Sequence, residues 1–273
     1  MDLDAVALDL DGTLLEPDGH ILPEVREALR TAAARGIEVY IVTGRPWPFV
    51  RELVAAEFGP RSPLPHGVVA EERDLYLRET GVWQPSRENI LRHRAELGLS
   101  RELAPLLQRC RAELSAMDPE HWVCSEEVLQ ERGFWEFRFR DSQCAALASA
   151  VLVRRLAGVA LGVQVIRNVR GVALRHPDSA KGASLARLAA IRGRARERIL
   201  AVGDSENDRS MLDGSWGFLA ACPANAEPSI GALVRERKGL WASRPRGAGV
   251  AEALQSPPAP AEPSALPPGR SRC

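Results

Sequence analysis

Asp9-Leu10-Asp11-Gly12-Thr13 places two carboxylates two positions apart where an apolar run ends, and a turn at Gly12 lets both face one cleft. Such a crevice at the carboxyl ends of parallel strands is where open α/β sheets bind ligands. The plain alternative is an acidic turn capping a helix. Thr43-Gly44-Arg45 offers a hydroxyl, a turn glycine and backbone N–H groups that together can hold a phosphate oxygen, although an ordinary strand-to-helix turn with Thr as cap uses the same residues. Gly203-Asp204-Ser205-Glu206-Asn207-Asp208 gathers oxygen ligands of the kind a hard cation such as Mg²⁺ takes. A polar capping turn accounts for one of its acids, not for that density. Lys181, in Ser179-Ala180-Lys181-Gly182, stands in a first helical turn, where the macrodipole slightly disfavours a cation. A compact ammonium there suits a phosphate or carboxylate oxygen.

These groups need strands to aim them. Residues 4–9, 37–42 and 199–202 read as short buried strands rich in β-branched and aliphatic residues, each running into one of the polar segments. Helices are expected over 23–35, opened by Pro23 and stopped by Gly36, and over 47–58, with a further strand at 67–70. This βαβα alternation implies a parallel sheet covered by helices. The middle of the chain differs. It reads as helices 86–97 and 101–115, strands 122–124 and 134–139, helix 142–157, and a hairpin of 163–166 with 172–175 around Asn168-Val169-Arg170-Gly171, an α+β order. The βα character returns with helix 180–191, strand 199–202, helix 207–213 and strand 217–220. Residues 256–272 carry six prolines and few large apolar groups, a composition expected to stay disordered.

Composition narrows the classes. The 273 residues are 45% hydrophobic, with 36 basic and 36 acidic side chains. Zero net charge argues against a generic nucleic-acid or acidic-membrane binder, and the apolar content against a disordered chain. No run approaches the roughly 20 apolar residues of a membrane span, and Met1-Asp2-Leu3-Asp4 lacks the basic start of a signal peptide. Five scattered cysteines without a C-x-x-C pair fit a reducing cytoplasm. Charge is uneven: residues 1–84 carry −7 and residues 85–176 carry +3. Of the basic residues only Lys181 and Lys238 are lysines.

In order and placement, Asp9-x-Asp11-Gly12-Thr13, Thr43, Lys181 and Gly203-Asp204-x-x-Asn207-Asp208 resemble the four motifs of the haloacid dehalogenase-like (HAD) phosphohydrolases. The likeness covers about residues 1–80 and 177–250. The long middle segment lies between the second and third motifs, where the Cof-like and sucrose-phosphatase-like branch inserts an α/β cap. Its compact form is similar to that of mannosyl-3-phosphoglycerate phosphatases. The resemblance implies a Rossmann-like parallel-sheet core (1–82 and 177–255) with an inserted α+β cap domain (83–176), followed by the tail 256–273. One departure stands out: many Cof-like members carry Glu-Asn-Gly after the third core strand, and this chain has Ala70-Glu71-Glu72-Arg73.

The resemblance also implies an activity: Mg²⁺-dependent hydrolysis of a small phosphorylated metabolite, a sugar phosphate or phosphoglycerate-type ester, through an aspartyl phosphate. Asp9 would be the nucleophile and Asp11 the acid–base. Asp9, the Asp11 carbonyl and Asp204 would hold Mg²⁺, with Asp208 orienting that shell. Lys181 would bridge Asp9 and the phosphoryl oxygens. Thr43, with Gly44 and Arg45, and Asn207 would contact phosphate. A phosphomutase or other phosphotransferase on the same scaffold, and a non-catalytic metabolite-binding module, remain as alternatives; neither nucleic acid nor membrane is expected as a partner. In the cap, Glu136, Arg138 and Arg140 share one strand face that either reads the leaving group or is simply solvated. Arg167 and Arg170 flank the hairpin turn, and Trp122 and Trp135 are expected to pack the cap interior.

Overall fold

The computed structural model describes residues 3–157 and 162–258. The chain alternates β1 (Ala5–Leu8), α1 (Pro23–Ala34), β2 (Glu38–Val42), α2 (Trp47–Phe58) and β3 (Gly67–Ala70), then adds a hairpin of β4 (Asp74–Glu79) and β5 (Val82–Pro85). After the middle segment it resumes with α6 (Lys181–Ile191), β10 (Ile199–Val202), α7 (Arg209–Leu212), β11 (Leu219–Cys222), α8 (Pro228–Glu236), β12 (Leu240–Trp241) and α9 (Arg246–Gln255). The main sheet has the order β12-β11-β10-β1-β2-β3-β4-β5; its first six strands are parallel, and β4 and β5 are antiparallel. The fold is therefore mixed α/β around a mostly parallel sheet.

Strand sequence explains the layering. Val6 and Leu8 of β1, Val39 and Ile41 of β2, and Leu200 and Val202 of β10 enter one core with α1, α2 and α9. The alternate residues Ala5, Ala7, Tyr40, Val42, Ile199 and Ala201 enter the opposite core with α6 and α8. Strands buried on both faces read as unbroken apolar runs, which is why these were legible. β1 lies between β2 and β10, so the chain goes one way from it and later the other. Such a reversal opens a crevice at the carboxyl ends of the strands.

The middle segment comprises α3 (Glu88–Met117), β6 (Trp122–Val123), α4 (Glu126–Arg132), β7 (Trp135–Arg138), α5 (Ser142–Leu156), β8 (Gln164–Asn168) and β9 (Gly171–Arg175). Its strands form an antiparallel sheet β6-β7-β9-β8. One face packs Phe137, Val172 and Leu174 against Leu103 of α3 and Ala148 and Leu152 of α5. The other presents Glu136 and Arg138 to the main sheet, the alternation expected along 134–139.

The structure departs from the sequence expectations at definite places. The sheet runs on to Pro85, past the expected division at 82, because Leu75 and Leu77 bury on one side of β4 and Thr80-Gly81, both at positive φ, turn the chain back. Helices 86–97 and 101–115 are one helix, α3. Leu99, Leu103, Leu107 and Leu114 continue its buried stripe, and that packing outweighs the roughly 1 kcal/mol helix penalty of Gly98. β4, β5, α4, α8, β12 and α9 were not read, and β11 starts two residues later than expected. The 207–213 helix is a 3₁₀ turn, Glu206–Asp208, followed by the short α7. Trp135 packs against the core of the middle segment, with its indole N–H donating to the Ser100 carbonyl at 2.8 Å. Trp122 does not: it is exposed, under the Arg138 guanidinium. Residues 259–273, most of the expected disordered tail, lie outside the described residues.

Candidate active site

β1, β2 and β10 end side by side, with Leu8 in register with Ile41 on one flank and Val202 on the other. That register brings Asp9, Thr43 and the Gly203-Asp204 turn together. Gly12 has φ of +83°, and a Cβ there would lie 2.4 Å from Asp204 Oδ2, so only glycine lets this turn press against the carboxylate.

Lys181 is the centre of the charge arrangement. It comes from the first turn of α6, is wholly buried, and donates to Asp9 Oδ1 at 2.6 Å and to Asp208 Oδ1 at 2.7 Å. Asp208 Oδ2 accepts from the backbone N–H of Asp204 and of Ser205, both at 3.0 Å. Both its oxygens are thus engaged, one by Lys181 and the other in bracing the loop. The Thr13 hydroxyl donates to Asp204 Oδ1 at 2.9 Å.

Asp9, Asp204 and Asp208 each bring a carboxylate oxygen to within 4.8 Å of the others. Burial, then Asp208, pushes Asp9 well above the usual carboxylate range against the pull of Lys181. Burial and Asp208 likewise push Asp204 up to about 6. Burial opposes the Lys181 charge, yet Asp208, Asp9 and Glu72 outweigh it and keep the ammonium protonated. Three clustered carboxylates against one ammonium leave negative charge uncompensated. An all-oxygen set of this kind fits a hard divalent cation. The Asp11 carboxylate is outside this cluster. It is half exposed and gripped by Arg45, whose Nε and Nη2 donate to its two oxygens at 2.9 and 2.7 Å. Of Asp11, only the backbone carbonyl remains a candidate ligand.

Above these groups lies a cavity of about 450 Å³. Asp9, Asp11, Thr43, Gly44, Arg45 and Asn207 form its floor, so the structure brings together the residues singled out in the sequence. Thr43 Oγ1 accepts from the Arg45 backbone N–H at 3.1 Å, which shapes the turn. Asn207 is aimed by Glu72, whose Oε1 accepts from its Nδ2 at 3.1 Å. The roof comes from the smaller sheet: Glu131 and Arg132 at the end of α4, Glu136 and Arg138 on β7, and Asn168 on β8.

Glu71, Glu72, Arg132 and Asn168 were not anticipated. Glu71 and Glu72 occupy left-handed backbone, φ 49° and 60°, which is uncommon for glutamate. Arg132 sat in a helix that went unread, though Ser125 followed by Glu126 and Glu127 is a helix-start signal. Arg140 is not at the cavity; it pairs with Asp141 at 3.4 Å on the outer surface. Arg167 pairs with Glu227 of the main-sheet unit at 2.6 Å, and Glu227 N–H donates to the Asp204 carbonyl at 2.7 Å. That contact ties the roof to the carboxylate loop.

Comparison with known proteins finds similar chains. Residues 6–64 and 170–236 match the haloacid dehalogenase-like hydrolase family. A phosphoglycolate phosphatase of Methanothermobacter thermautotrophicus is 28% identical over 254 residues, covering 92% of this chain and 97% of the relative. Another, of Methanoculleus marisnigri, is 24% identical, covering 78% and 81%. Among solved structures, the sucrose-phosphatase of Synechocystis sp. PCC6803 in complex with sucrose and phosphate superposes with a TM-score of 0.66 at 18% identity, covering 93% of this chain and 98% of that one. Among the described residues, no helix is long and apolar enough to cross a membrane.

Proposed function

The chain belongs to the haloacid dehalogenase-like hydrolases, and from that premise we propose that it is a Mg²⁺-dependent phosphatase that hydrolyses a small phosphorylated metabolite, a sugar phosphate or phosphoglycerate-type ester, through an aspartyl phosphate on Asp9. The observation that carries the reading is the buried Lys181 ammonium clamped between Asp9 and Asp208 beneath an open polar cavity. Phosphatase relatives of nearly full coverage support it.

Lys181 holds Asp9 Oδ1, so we assign attack to Oδ2. A phosphorus–oxygen bond forms to Asp9 as the bond to the leaving oxygen breaks. The departing alkoxide takes a proton from Asp11. In the second half, Asp11 accepts a proton from the water that attacks phosphorus and restores the Asp9 carboxylate. Such a positioned acid–base contributes roughly 10²–10⁴-fold. To serve, Asp11 must let go of Arg45, and the guanidinium then faces the floor where the phosphoryl oxygens would sit, beside Thr43 and the Gly44 backbone. Asp9, Asp204 and the Asp11 carbonyl would hold Mg²⁺, which when bound supplies positive charge against the carboxylates and the phosphoryl group. Asp208, engaged at both oxygens, holds Lys181 and the loop carrying Asp204 in place.

The test is phosphate release over a panel of sugar phosphates and phosphorylated carboxylic acids, with Mg²⁺ and with EDTA. Wild-type protein releases phosphate only with the metal, and Asp9→Asn, though folded, releases none. Full activity in Asp9→Asn refutes the nucleophile assignment, and EDTA-insensitive turnover refutes the metal role.

A further inference from the structure

Asn207 is held on two sides. Its Oδ1 accepts from the Ser205 hydroxyl at 2.5 Å, and its Nδ2 donates to Glu72 Oε1 at 3.1 Å. Asn207 is buried on the floor of the cavity, whereas Glu72 lines a smaller recess with Gly44 and Arg175. The Glu72 carboxylate is itself fixed. Its other oxygen, Oε2, lies 3.6 Å from Nη1 of the buried Arg175. Its backbone N–H donates to the Thr43 carbonyl at 2.9 Å, and its carbonyl accepts from the Ser184 hydroxyl of α6 at 2.6 Å. These ties hold the residue at φ 60°, a left-handed conformation that is uncommon for glutamate and persists only where the surroundings impose it.

A side-chain amide can turn over, exchanging its oxygen and its nitrogen. The Ser205 hydroxyl does not choose between the two orientations, because it donates to an oxygen and accepts from a nitrogen equally well. Glu72 does choose. A carboxylate has no hydrogen to give, so the end of the Asn207 amide that faces it must be the NH₂ group. One hydrogen goes to Glu72. Among the described residues Nδ2 has no other partner, so its second hydrogen is left for a group in the cavity. Turned over, the amide would set its oxygen against the Glu72 carboxylate and offer the cavity an acceptor, which a phosphoryl oxygen cannot use.

Given the phosphatase reading, on which this rests, we infer that Glu72 is a positioning residue for phosphate: it fixes the Asn207 amide so that an N–H, and not the oxygen, meets the phosphoryl group. A hydrogen bond to a charged group contributes roughly 10- to 100-fold in binding. Glutamine at this position has one acceptor end and one donor end. Arg175 takes the acceptor, so the donor end turns to Asn207 and inverts its amide. Alanine presents neither, which leaves both orientations open at a cost of about twofold. The isostere should therefore harm phosphate binding more than the truncation does. Stability should follow the opposite order, since Glu72→Ala takes away both contacts.

The experiment uses the full chain with Mg²⁺ and reads kcat and KM for the best ester of the panel above, inhibition by inorganic phosphate, and melting. The variants are Glu72→Gln, Glu72→Ala, Asn207→Ala, and Glu72→Gln combined with Asn207→Ala. Asn207→Ala should raise KM and the phosphate inhibition constant about 10- to 100-fold with a smaller change in kcat, since the contact is made before and during transfer. Glu72→Gln should raise both about 10-fold, and Glu72→Ala about twofold, although Glu72→Ala melts at or below Glu72→Gln. In the combined variant Glu72→Gln should add nothing to Asn207→Ala. In wild-type protein carrying nitrogen-labelled asparagine, phosphate should shift the resonance of one Nδ2 proton of Asn207 and leave the proton held by Glu72 in place. A larger loss of phosphate affinity in Glu72→Ala than in Glu72→Gln overturns the inference, as does an effect of Glu72→Gln that persists in the Asn207→Ala background. Wild-type phosphate affinity in Asn207→Ala also overturns it, while continued phosphate release leaves the phosphatase reading standing. No release by wild-type protein from any ester, p-nitrophenyl phosphate included, overturns that reading and the inference with it.

Discussion

Replacing Lys181 tests the charge arrangement most directly. Its ammonium is wholly buried and donates to Asp9 at 2.6 Å and Asp208 at 2.7 Å. Lys181→Met keeps the length of the side chain and removes the charge. Charge-assisted hydrogen bonds contribute about 1.5–3 kcal/mol each, and removing one partner of a buried pair costs about 3–5 kcal/mol because the other charge stays buried and unpaired. Taking 3–5 kcal/mol for the site, and 2–4 °C per kcal/mol for a chain of this size, metal-free Lys181→Met should melt on the order of 10 °C below wild type. Asp9→Asn added to it should restore part of the loss, with a coupling of about 1–3 kcal/mol, since the carboxylate left without a partner is then neutral. Lys181→Arg keeps the charge but forces a larger planar head between the two carboxylates, an overpacking of about 1–3 kcal/mol. It should melt closer to wild type than Lys181→Met, yet release phosphate at least about 100-fold more slowly, because Asp9 is displaced from its line of attack. Calorimetry with and without Mg²⁺, beside phosphate release, reads all of this. Unchanged melting in Lys181→Met would refute the charge argument. Wild-type turnover in Lys181→Arg would show that a lysine is kept among 34 arginines for some reason other than fit.

Three further outcomes are expected. Gly12→Ala puts a Cβ 2.4 Å from Asp204 Oδ2 at φ +83°, so it should lose about 1–2 kcal/mol of stability, read by urea unfolding, and raise the Mg²⁺ concentration needed for half-maximal phosphate release. Glu38, at the far end of β2, is held by Arg192, Arg194 and Tyr40, which together overcome burial and lower its carboxyl from 4.5 to about 2. A depressed acid stabilises the fold above its unfolded pKa and loses that contribution as pH falls through the folded one; Glu38→Gln should therefore be less stable than wild type by up to about 3 kcal/mol above pH 5, with the gap closing toward pH 2 in denaturant titrations and turnover unchanged. Arg167→Ala removes the half-buried contact to Glu227 that ties roof to carboxylate loop, worth about 1 kcal/mol, and should raise KM several-fold with little change in melting temperature.

The floor of the cavity was legible because three buried strand segments, 5–8, 39–42 and 199–202, are apolar runs that end abruptly in polar motifs. Lys181 was legible through composition. The roof was not. Arg132 and Asn168 stand in local sequence no different from any solvated helix end or hairpin, and only the packing of Phe137 and Leu174 onto α3 and α5 decides that the other face of that sheet looks at the floor. The continuity of α3 was hidden for a similar reason, since Gly98 is a local signal overridden by a tertiary stripe of leucines.

Glu71-Glu72-Arg73 shows why a departure from a family pattern can be informative. Glu71 and Glu72 adopt φ of 49° and 60°, where asparagine is tolerated better than glutamate and the penalty is about 1–2 kcal/mol per residue. Their backbone N–H groups donate to the carbonyls of Arg45 at 3.0 Å and Thr43 at 2.9 Å, so the turn is moulded onto the phosphate-side loop. From it, Glu71 reaches Arg132 of the roof at 3.0 Å, and Glu72 reaches Asn207 of the floor and Arg175, where the middle segment returns to the main sheet. Arg73 and Arg175, both buried, converge on Glu96 of α3 at 2.7 and 2.6 Å. Two buried guanidiniums need more than one carboxylate, and Asp74 and Glu72 supply the rest at 2.8 and 3.6 Å. A neutral asparagine at 72 would relieve the backbone but leave Arg175 short of charge at the joint between the two sheets. The strain is thus held in place by the ion network, and one turn couples the floor, the roof and the crossing between them.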